Sequence, residues 1–567
     1  MNQIAAIPQA ALPNVKAFGI HFIAQKYVAT FGVMAILSRL PNWSLALLSP
    51  LVLSLAWPGS LGYHEFPILA PLLLVSMVPM LLLEARLREA KTRHFAGYAA
   101  LSSVLFNLGT TWWVAGAHWS GVLGAVLING ILMTAVWLLY RYAVRQVGLR
   151  TALWIWVTGW VAIELLHDDW PFSFPWLNLG HAFAEVPHWV RWYAWTGPRG
   201  GTVWLLIANA VFWQFFASPG SRGRIGLFAA LLGPIALSYG LGAWLDAQPA
   251  TGSLRALVVQ PNVDPYTEKF QTPDLLQVRK WVEASSALTD SAPGLIVLPE
   301  TFLHEGLDEN YASNWPSLIA FEPVLRKGWA VVLGATTYRL HGPEPENPAA
   351  RPIDDRRSVT YANSAVFARA GHPLQIYHKS KLVVGVETMP FSRLLNSVLG
   401  DLTLSLGGTS GTLATQSERG VFEAGPGLPR IGAPICWEQD FGPFAAEFSR
   451  AGAEVLTVIT NDGWWGNTAG HVAHLHYARL RAVEQHRSML RSANTGISAV
   501  IGPDGRVEQS LTWGQEGILE ARVPTYSEPS FFARHGDIVG QWAGFVFGFL
   551  LLSLLVRRLR GLKRLES

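Results

Sequence analysis

The chain has 567 residues, half of them hydrophobic and 14% charged, with a mean hydropathy of +0.25. A soluble domain carries about 25% charged residues, so a wholly soluble protein is excluded, and a net charge of +4 is too small to argue for nucleic acid. The single cysteine excludes any intrachain disulfide and any multi-cysteine metal site.

The charge deficit is uneven, and that locates the domains. Residues 1–245 are dominated by apolar runs, 246–535 have a globular mixture ample for a soluble core, and 536–567 hold one more apolar run with a basic tail. The opening MNQIAAIPQAALPNVKAFGIHF has neither a basic n-region nor a small-residue cleavage site, so no cleavable signal peptide is expected. The apolar patch 27–38 is a candidate interfacial helix. A spanning helix needs about 20 apolar residues. Eight candidates follow, near 42–58, 66–84, 97–117, 121–140, 151–167, 201–217, 225–244 and 538–556. The first is the weakest, being short and containing Pro50. Glu164, near the end of the fifth, reads as an interfacial carboxylate.

Every second connection is basic. Arg86, Arg88, Lys91 and Arg93 join the second and third spans, and Arg141, Arg145 and Arg150 the fourth and fifth. Arg222 and Arg224 join the sixth and seventh, and Arg557, Arg558, Arg560, Lys563 and Arg564 follow the last. The alternate connections have almost no Lys or Arg: in 168–200 there are only Arg191 and Arg199. The positive-inside bias of short loops then puts both termini in the cytoplasm and 246–535 outside it. Segment 168–200 is unusual for a connector, with Trp170, Trp176, Trp189, Trp192 and Trp195. It reads as an aromatic belt at headgroup level, as a wall of a lipid-facing site, or as both.

From residue 246 the periodicity changes. Strands are expected at 254–260, 294–300, 329–336, 364–369, 430–436, 454–461 and 498–503, and helices at 273–289, 316–327, 440–451 and 471–488. Such alternation means α/β layers. One strand ends at Glu300, another at Cys436, and YHKSKL between them contains Lys379. Sites of α/β sheets gather at the carboxyl ends of strands. A thiol is mostly protonated at neutral pH and needs a base, which a carboxylate in a partly dry site can be. A lysine beside it would hold the carboxylate and stabilise an oxyanion. Taken singly, each has a bland reading: Glu300 as a surface carboxylate, Lys379 as a solvated lysine, Cys436 as a small buried hydrophobe.

Together, PE at 299–300, YHKSKLVVGVETMP at 377–390, ICWE at 435–438 and NDGWWG at 461–466 resemble the nitrilase superfamily with its Glu-Lys-Cys triad. The segment 474–507 resembles that domain as fused to membrane spans in the apolipoprotein N-acyltransferases. The resemblance covers nearly the whole chain. It implies a polytopic α-helical membrane domain of about eight spans, plus an α/β nitrilase-like αββα sandwich. It implies an acyl chain taken from a phospholipid, typically phosphatidylethanolamine, as a thioester, then passed to the α-amino group of a diacylglyceryl-cysteine apolipoprotein. Cys436 would be the nucleophile, Glu300 the general base and Lys379 the oxyanion stabiliser. Glu387 and Glu438 would be supporting carboxylates, and Trp437, Trp464 and Trp465 would stand at the substrate pocket. No cofactor is implied; the expected state is a monomer in the inner membrane.

Three departures from the family pattern bear on the pocket wall: Val384 for proline with the glycine one residue earlier, Trp437 for tyrosine, and Trp465 for phenylalanine. Long loops around 302–315, 340–358 and 386–420 are expected to include one that opens to admit lipid. A membrane-anchored amidase or nitrile hydrolase is a rival reading, although one anchor would suffice for it. A transporter with a sensor domain is another, although the spans have almost no ionisable groups. His471, His474, His476 and Glu484 share one helix, but only His471 and His474 are spaced as a ligand pair, so no metal is expected.

Overall fold

The computed structural model describes residues 32–566 apart from 63–64, 218–220, 270, 344–346, 348 and 389–411. The patch expected at 27–38 is described only from Gly32, where helix α1 (Gly32–Arg39) begins. There follow α2 (Asn42–Leu55), a 3-10 segment Pro67–Val75 leading into α3 (Val78–Glu89), α4 (Phe95–Thr111), α5 (Trp119–Val147), α6 (Leu149–Leu166), α7 (Pro198–Ala217) and α8 (Ser221–Asp246). A final helix, α12 (Ile538–Glu566), packs back against α6, where Gly159 admits the ring of Phe547.

Each expected span falls on helix, but not all have spanning dimensions. Among the described residues five helices are long and apolar enough to cross a membrane: Pro67–Glu89, Trp119–Val147, Leu149–Leu166, Gly223–Asp246 and Ile538–Leu559. Of the others, α2 has 14 residues, α4 has 17, and α7 is diluted by Arg199 and polar residues.

Between the helices lie two sheets. One has the order β14 (Gly517–Thr525), β1 (Gly252–Gln260), β2 (Leu295–Val297), β4 (Ala330–His341), β6 (Arg357–Arg369), β5 (Arg351–Asp354), with β3 (Leu303–Asp308) and β7 (Gln375–His378) at its margins; the other runs β13 (Val507–Leu511), β12 (Ser498–Ile501), β11 (Met489–Ala493), β10 (Val455–Thr460), β9 (Ile431–Gly432), β8 (Val421–Phe422). β1 (Gly252–Gln260) shows why this is a layered fold. Leu254, Ala256 and Val258 enter the core between the sheets, while Leu257 and Val259 face Val278 and Trp281 of α9 (Asp274–Ser286) on the outside. That alternation is the period of a strand buried on both faces. On the second sheet α10 (Gly442–Arg450) and α11 (Ala469–Gln485) complete four layers.

Three expectations need correction. The helix expected at 471–488 stops at Gln485, and β11 (Met489–Ala493) pairs in parallel with β10 (Val455–Thr460). Arg491 and Ser492 hid this strand, although both are fully buried. The helix expected at 316–327 is two single turns, Pro316–Ile319 and Glu322–Leu325, because Pro323 cannot continue the first. Of the supposed loops, 302–315 contains β3 (Leu303–Asp308), and 340–358 holds the end of β4 (Ala330–His341), β5 (Arg351–Asp354) and the start of β6 (Arg357–Arg369). Most of 386–420 lies outside the described residues.

Segment 168–200 contributes a wall of the helical part as well as partly exposed tryptophans, Trp170, Trp189 and Trp195. It is packed between the helices and α11: Trp176 is 4% exposed, and its carbonyl accepts from the Tyr477 hydroxyl at 2.8 Å. Its two arginines are structural. Arg191 pairs with Asp246 at 2.6 Å. Arg199, at the start of α7, bonds Asp168 after α6 at 2.6 Å, Asp537 before α12, and the Glu164 carbonyl at 3.0 Å. Three helix ends are thereby tied at one guanidinium. Glu164 is likewise buried within the protein; its carboxylate accepts from Leu179 N at 2.8 Å and from the Thr202 hydroxyl at 2.9 Å. A buried carboxylate needs such donors.

Removing Arg199 would leave Asp537 buried without its charge partner. Arg199→Ala is expected to cost about 3–5 kcal/mol, seen as a lower Tm in detergent. Arg199→Lys should recover only part of it, since a point charge cannot serve both carboxylates in a fork.

Candidate active site

Glu300, Lys379 and Cys436 come from three places in the fold. Glu300 lies in the turn after β2 (Leu295–Val297), held against β4 at Gly334, where an added Cβ would stand 2.5 Å from the Glu300 Cα. Only glycine permits that approach. Lys379 directly follows β7 (Gln375–His378), its N–H bonding the Asn363 carbonyl of β6 at 2.8 Å. Cys436 ends the segment beyond β9 (Ile431–Gly432) and opens a 3-10 turn, Cys436–Asp440. Pro434 has no N–H for a ladder, so pairing there reduces to one bridge, Ile435 with Ile459.

Cys436 has φ +54° and Thr301, next to Glu300, φ +47°. For residues with a side chain this backbone costs about 1–3 kcal/mol, so surrounding bonds must hold it. Glu438 supplies them. Its carboxylate accepts from Ile435 N at 2.8 Å, Ser380 N at 2.6 Å and the Tyr377 hydroxyl at 2.9 Å, locking the cysteine turn to the lysine loop.

The ionisable groups form one buried set. Lys379 is 1% exposed, and its Nζ donates to Glu300 Oε1 at 2.9 Å and Glu387 Oε1 at 3.0 Å. Asn363 Nδ2 donates to the same two carboxylates at 2.8 and 3.0 Å. Glu300 Oε2 accepts from Asn461 N at 3.1 Å, the first residue of NDGWWG. Burial alone would raise the Glu300 carboxyl, but the Lys379 charge, with hydrogen bonds from Lys379 and Asn363, holds it below the usual range. Burial opposes the Lys379 charge too, yet Glu300 and Glu387 push its ammonium well above the ordinary lysine value. The thiol moves the other way. Burial and the Glu300 charge raise Cys436 well above an ordinary cysteine, with Lys379 and the Thr460 hydroxyl opposing. The resting pair is therefore a carboxylate and a protonated thiol, the state a general base needs.

Two contributors had no signal in the sequence. Asn363 sits mid-way along β6, just before the strand expected at 364–369. Lys269 is 4% exposed and bonds the Thr301 hydroxyl; burial lowers its ammonium to about 8.

A cavity of about 350 Å³ opens from Cys436. Trp437 and Trp465 line it, as do Trp113, after α4, and Trp176. The rings of Trp113, Trp176 and Trp465 meet edge to face, with centroids 4.6–5.4 Å apart. Trp465 thus joins the sheet layer to the helical part. Trp437 is fixed by its indole N–H, which donates to the Lys381 carbonyl at 2.6 Å. Trp464 is elsewhere, against Tyr266 with centroids 5.3 Å apart, and does not line the cavity. Val384 and Gly385 do line it. Gly385 has φ +85° in a tight turn that brings Glu387 Oε2 within 2.8 Å of Val383 N.

The α11 histidines are dispersed among other partners: His474 bonds Asp462 at 2.9 Å and His476 lies 3.0 Å from Arg479. Among the described residues no three His, Cys, Asp or Glu side chains are grouped to hold a metal.

Residues 258–527 match the carbon-nitrogen hydrolase family, and 51–211 match the apolipoprotein N-acyltransferase N-terminal domain. An apolipoprotein N-acyltransferase of Chlorobaculum tepidum is 30% identical over 550 residues, 92% of this chain and 98% of the relative. One of Bordetella bronchiseptica is 31% identical over 430 residues, 71% and 73% of the two chains. Among solved structures, an amidase of the nitrilase superfamily from Nesterenkonia is 15% identical and covers 52% of this chain and 99% of its own, with a TM-score of 0.34. A relative matched almost end to end, together with family matches to both the helical and the two-sheet parts, establishes that the chain belongs to the apolipoprotein N-acyltransferase family.

Proposed function

We propose that this protein moves an acyl chain from a membrane phospholipid, through a thioester on Cys436, to the α-amino group of a diacylglyceryl-cysteine apolipoprotein. The observation that carries this reading is the cavity. It starts at a buried cysteine beside a carboxylate and a lysine, and one side of its wall is the membrane helix α5. A water-soluble amide would have no use for such a wall, which disfavours the amidase reading.

Glu300 takes the thiol proton as Sγ attacks the ester carbonyl, and Lys379 faces the oxyanion that develops. Collapse releases the lysophospholipid alcohol, to which Glu300 returns the proton. The acceptor amine then attacks the thioester, Glu300 takes its proton, and the thiolate leaves and is reprotonated. Glu387 and Glu438 position the two loops. Trp437 and Trp465 shape the entrance and exclude water, so that the thioester outlasts the wait for the amine. Trp464 supports the NDGWWG turn from behind.

The donor in this reading is phosphatidylethanolamine and the working unit a monomer. The chain divides into a membrane domain (1–245), a catalytic domain (246–535) and a closing helix with a basic tail (536–567). It sits in the inner membrane with both termini cytoplasmic and the catalytic domain periplasmic. The positive-inside argument gains support from Arg191 and Arg199, since both are consumed in ion pairs and do not count as free loop charge.

Incubation of the purified protein with phosphatidylethanolamine alone should give an adduct of one acyl chain, seen by intact mass and released by hydroxylamine. Cys436→Ala should give none; a persisting adduct would place the chemistry elsewhere. Glu300→Gln should slow adduct formation by at least about 100-fold, with the fold retained by circular dichroism. Iodoacetamide alkylation of Cys436 should climb only above the pH range of an ordinary thiol. Lys379→Met should push that rise to still higher pH, because the lost cation is one of the groups that lower the thiol.

A further inference from the structure

The cavity has a membrane end as well as a catalytic end. Along α5 its wall is Gly121, Gly124, Ala125 and Ile128, a stripe at helical spacing, and the series ends at Asn129. The other face of the helix carries Leu123, Leu127 and Ile131, which are 50–67% exposed and suited to lipid. At 1.5 Å per residue, Asn129 lies about 12 Å below Gly121 along the helix axis. It is the deepest residue that α5 contributes to the cavity.

Small residues make the groove, and Asn129 interrupts its chemistry. A Cβ on Gly124 would meet nothing within 4 Å, so the glycine leaves open space on the cavity side. Asn129 is 2% exposed, and among the described residues its Nδ2 has no hydrogen-bond partner. A bare donor in the hydrocarbon region is costly, so its position at the end of the cavity calls for a reason.

We propose that Asn129 is the floor of the acyl cavity and limits the length of the chain the enzyme accepts. This rests on the reading that the cavity holds the donor's acyl chain. The amide nitrogen is already sealed from the cavity, so Asn129 acts as a wall: a chain that stops short of it fits. A longer one must displace the floor, and overpacking of that kind disfavours the complex by about tenfold or more.

The test is a competition. The protein is given an equimolar series of phosphatidylethanolamines with saturated chains of increasing length, and the acyl adducts on Cys436 are weighed by intact mass. Asn129→Ala lowers the floor by the volume of the amide, so the ratio of long-chain to short-chain adduct should rise about tenfold. Gly124→Leu, which fills the groove above Asn129, should shift the adducts toward shorter chains, and it carries the test if Asn129→Ala does not fold. An unchanged length profile in whichever variants form adducts would overturn the inference. Absence of any adduct in the unmodified protein would instead sink the thioester reading, and this one with it.

Discussion

The lysine buried between two carboxylates is the interaction on which the rest of the site depends. Lys379 is a charge removed from water, and removal on that scale is tolerated only with excellent partners. Glu300 and Glu387 are those partners, and Asn363 donates to both. The consequence for chemistry is direct. In a site this dry, Glu300 by itself would take up a proton and cease to be a base; the lysine keeps it ionised. The same charge stands beside Cys436, where it favours the thiolate and any oxyanion.

A second constraint is position. The proposed thioester would have to form where lipid reaches, which asks that the sheets be docked on the helices and not merely tethered to them. The docking is made by α11, a helix of mixed polarity that is buried along its whole length from Gly470 to Gln485. Tyr477 accepts from the Trp57 indole at 3.1 Å and donates to Trp176 O. Arg479 reaches Glu65 at 2.7 Å, and Gly470 packs against the ring of Trp113. Trp176 of segment 168–200 and three residues of the earlier helical part, Trp57, Glu65 and Trp113, thus cover this helix.

Much of the architecture was legible in the sequence because it rests on local periodicity. Apolar runs gave the helices and β-branched runs most strands. The failures have particular causes. β11 was hidden because buried Arg491 and Ser492 find partners in Asp462 and the Val259 carbonyl, which no local pattern announces. Arg191 and Arg199 look like sparse loop charges and turn out to be buried ties between helix ends. Trp464 and Trp465 are adjacent, yet only the second enters the cavity, because the turn they share points their side chains apart.

By itself the sequence determined which residues can do chemistry and which stretches prefer hydrocarbon, since side-chain type and hydropathy are properties of the chain alone. Tertiary structure decided what those residues become. The ionisation of Glu300 is set by neighbours 63 and 79 positions away, Asn363 and Lys379. The apolar wall beside Cys436 is set in part by a helix some three hundred residues earlier. Electrostatics and packing act through space at a few ångströms, and only the folded chain brings those distances about.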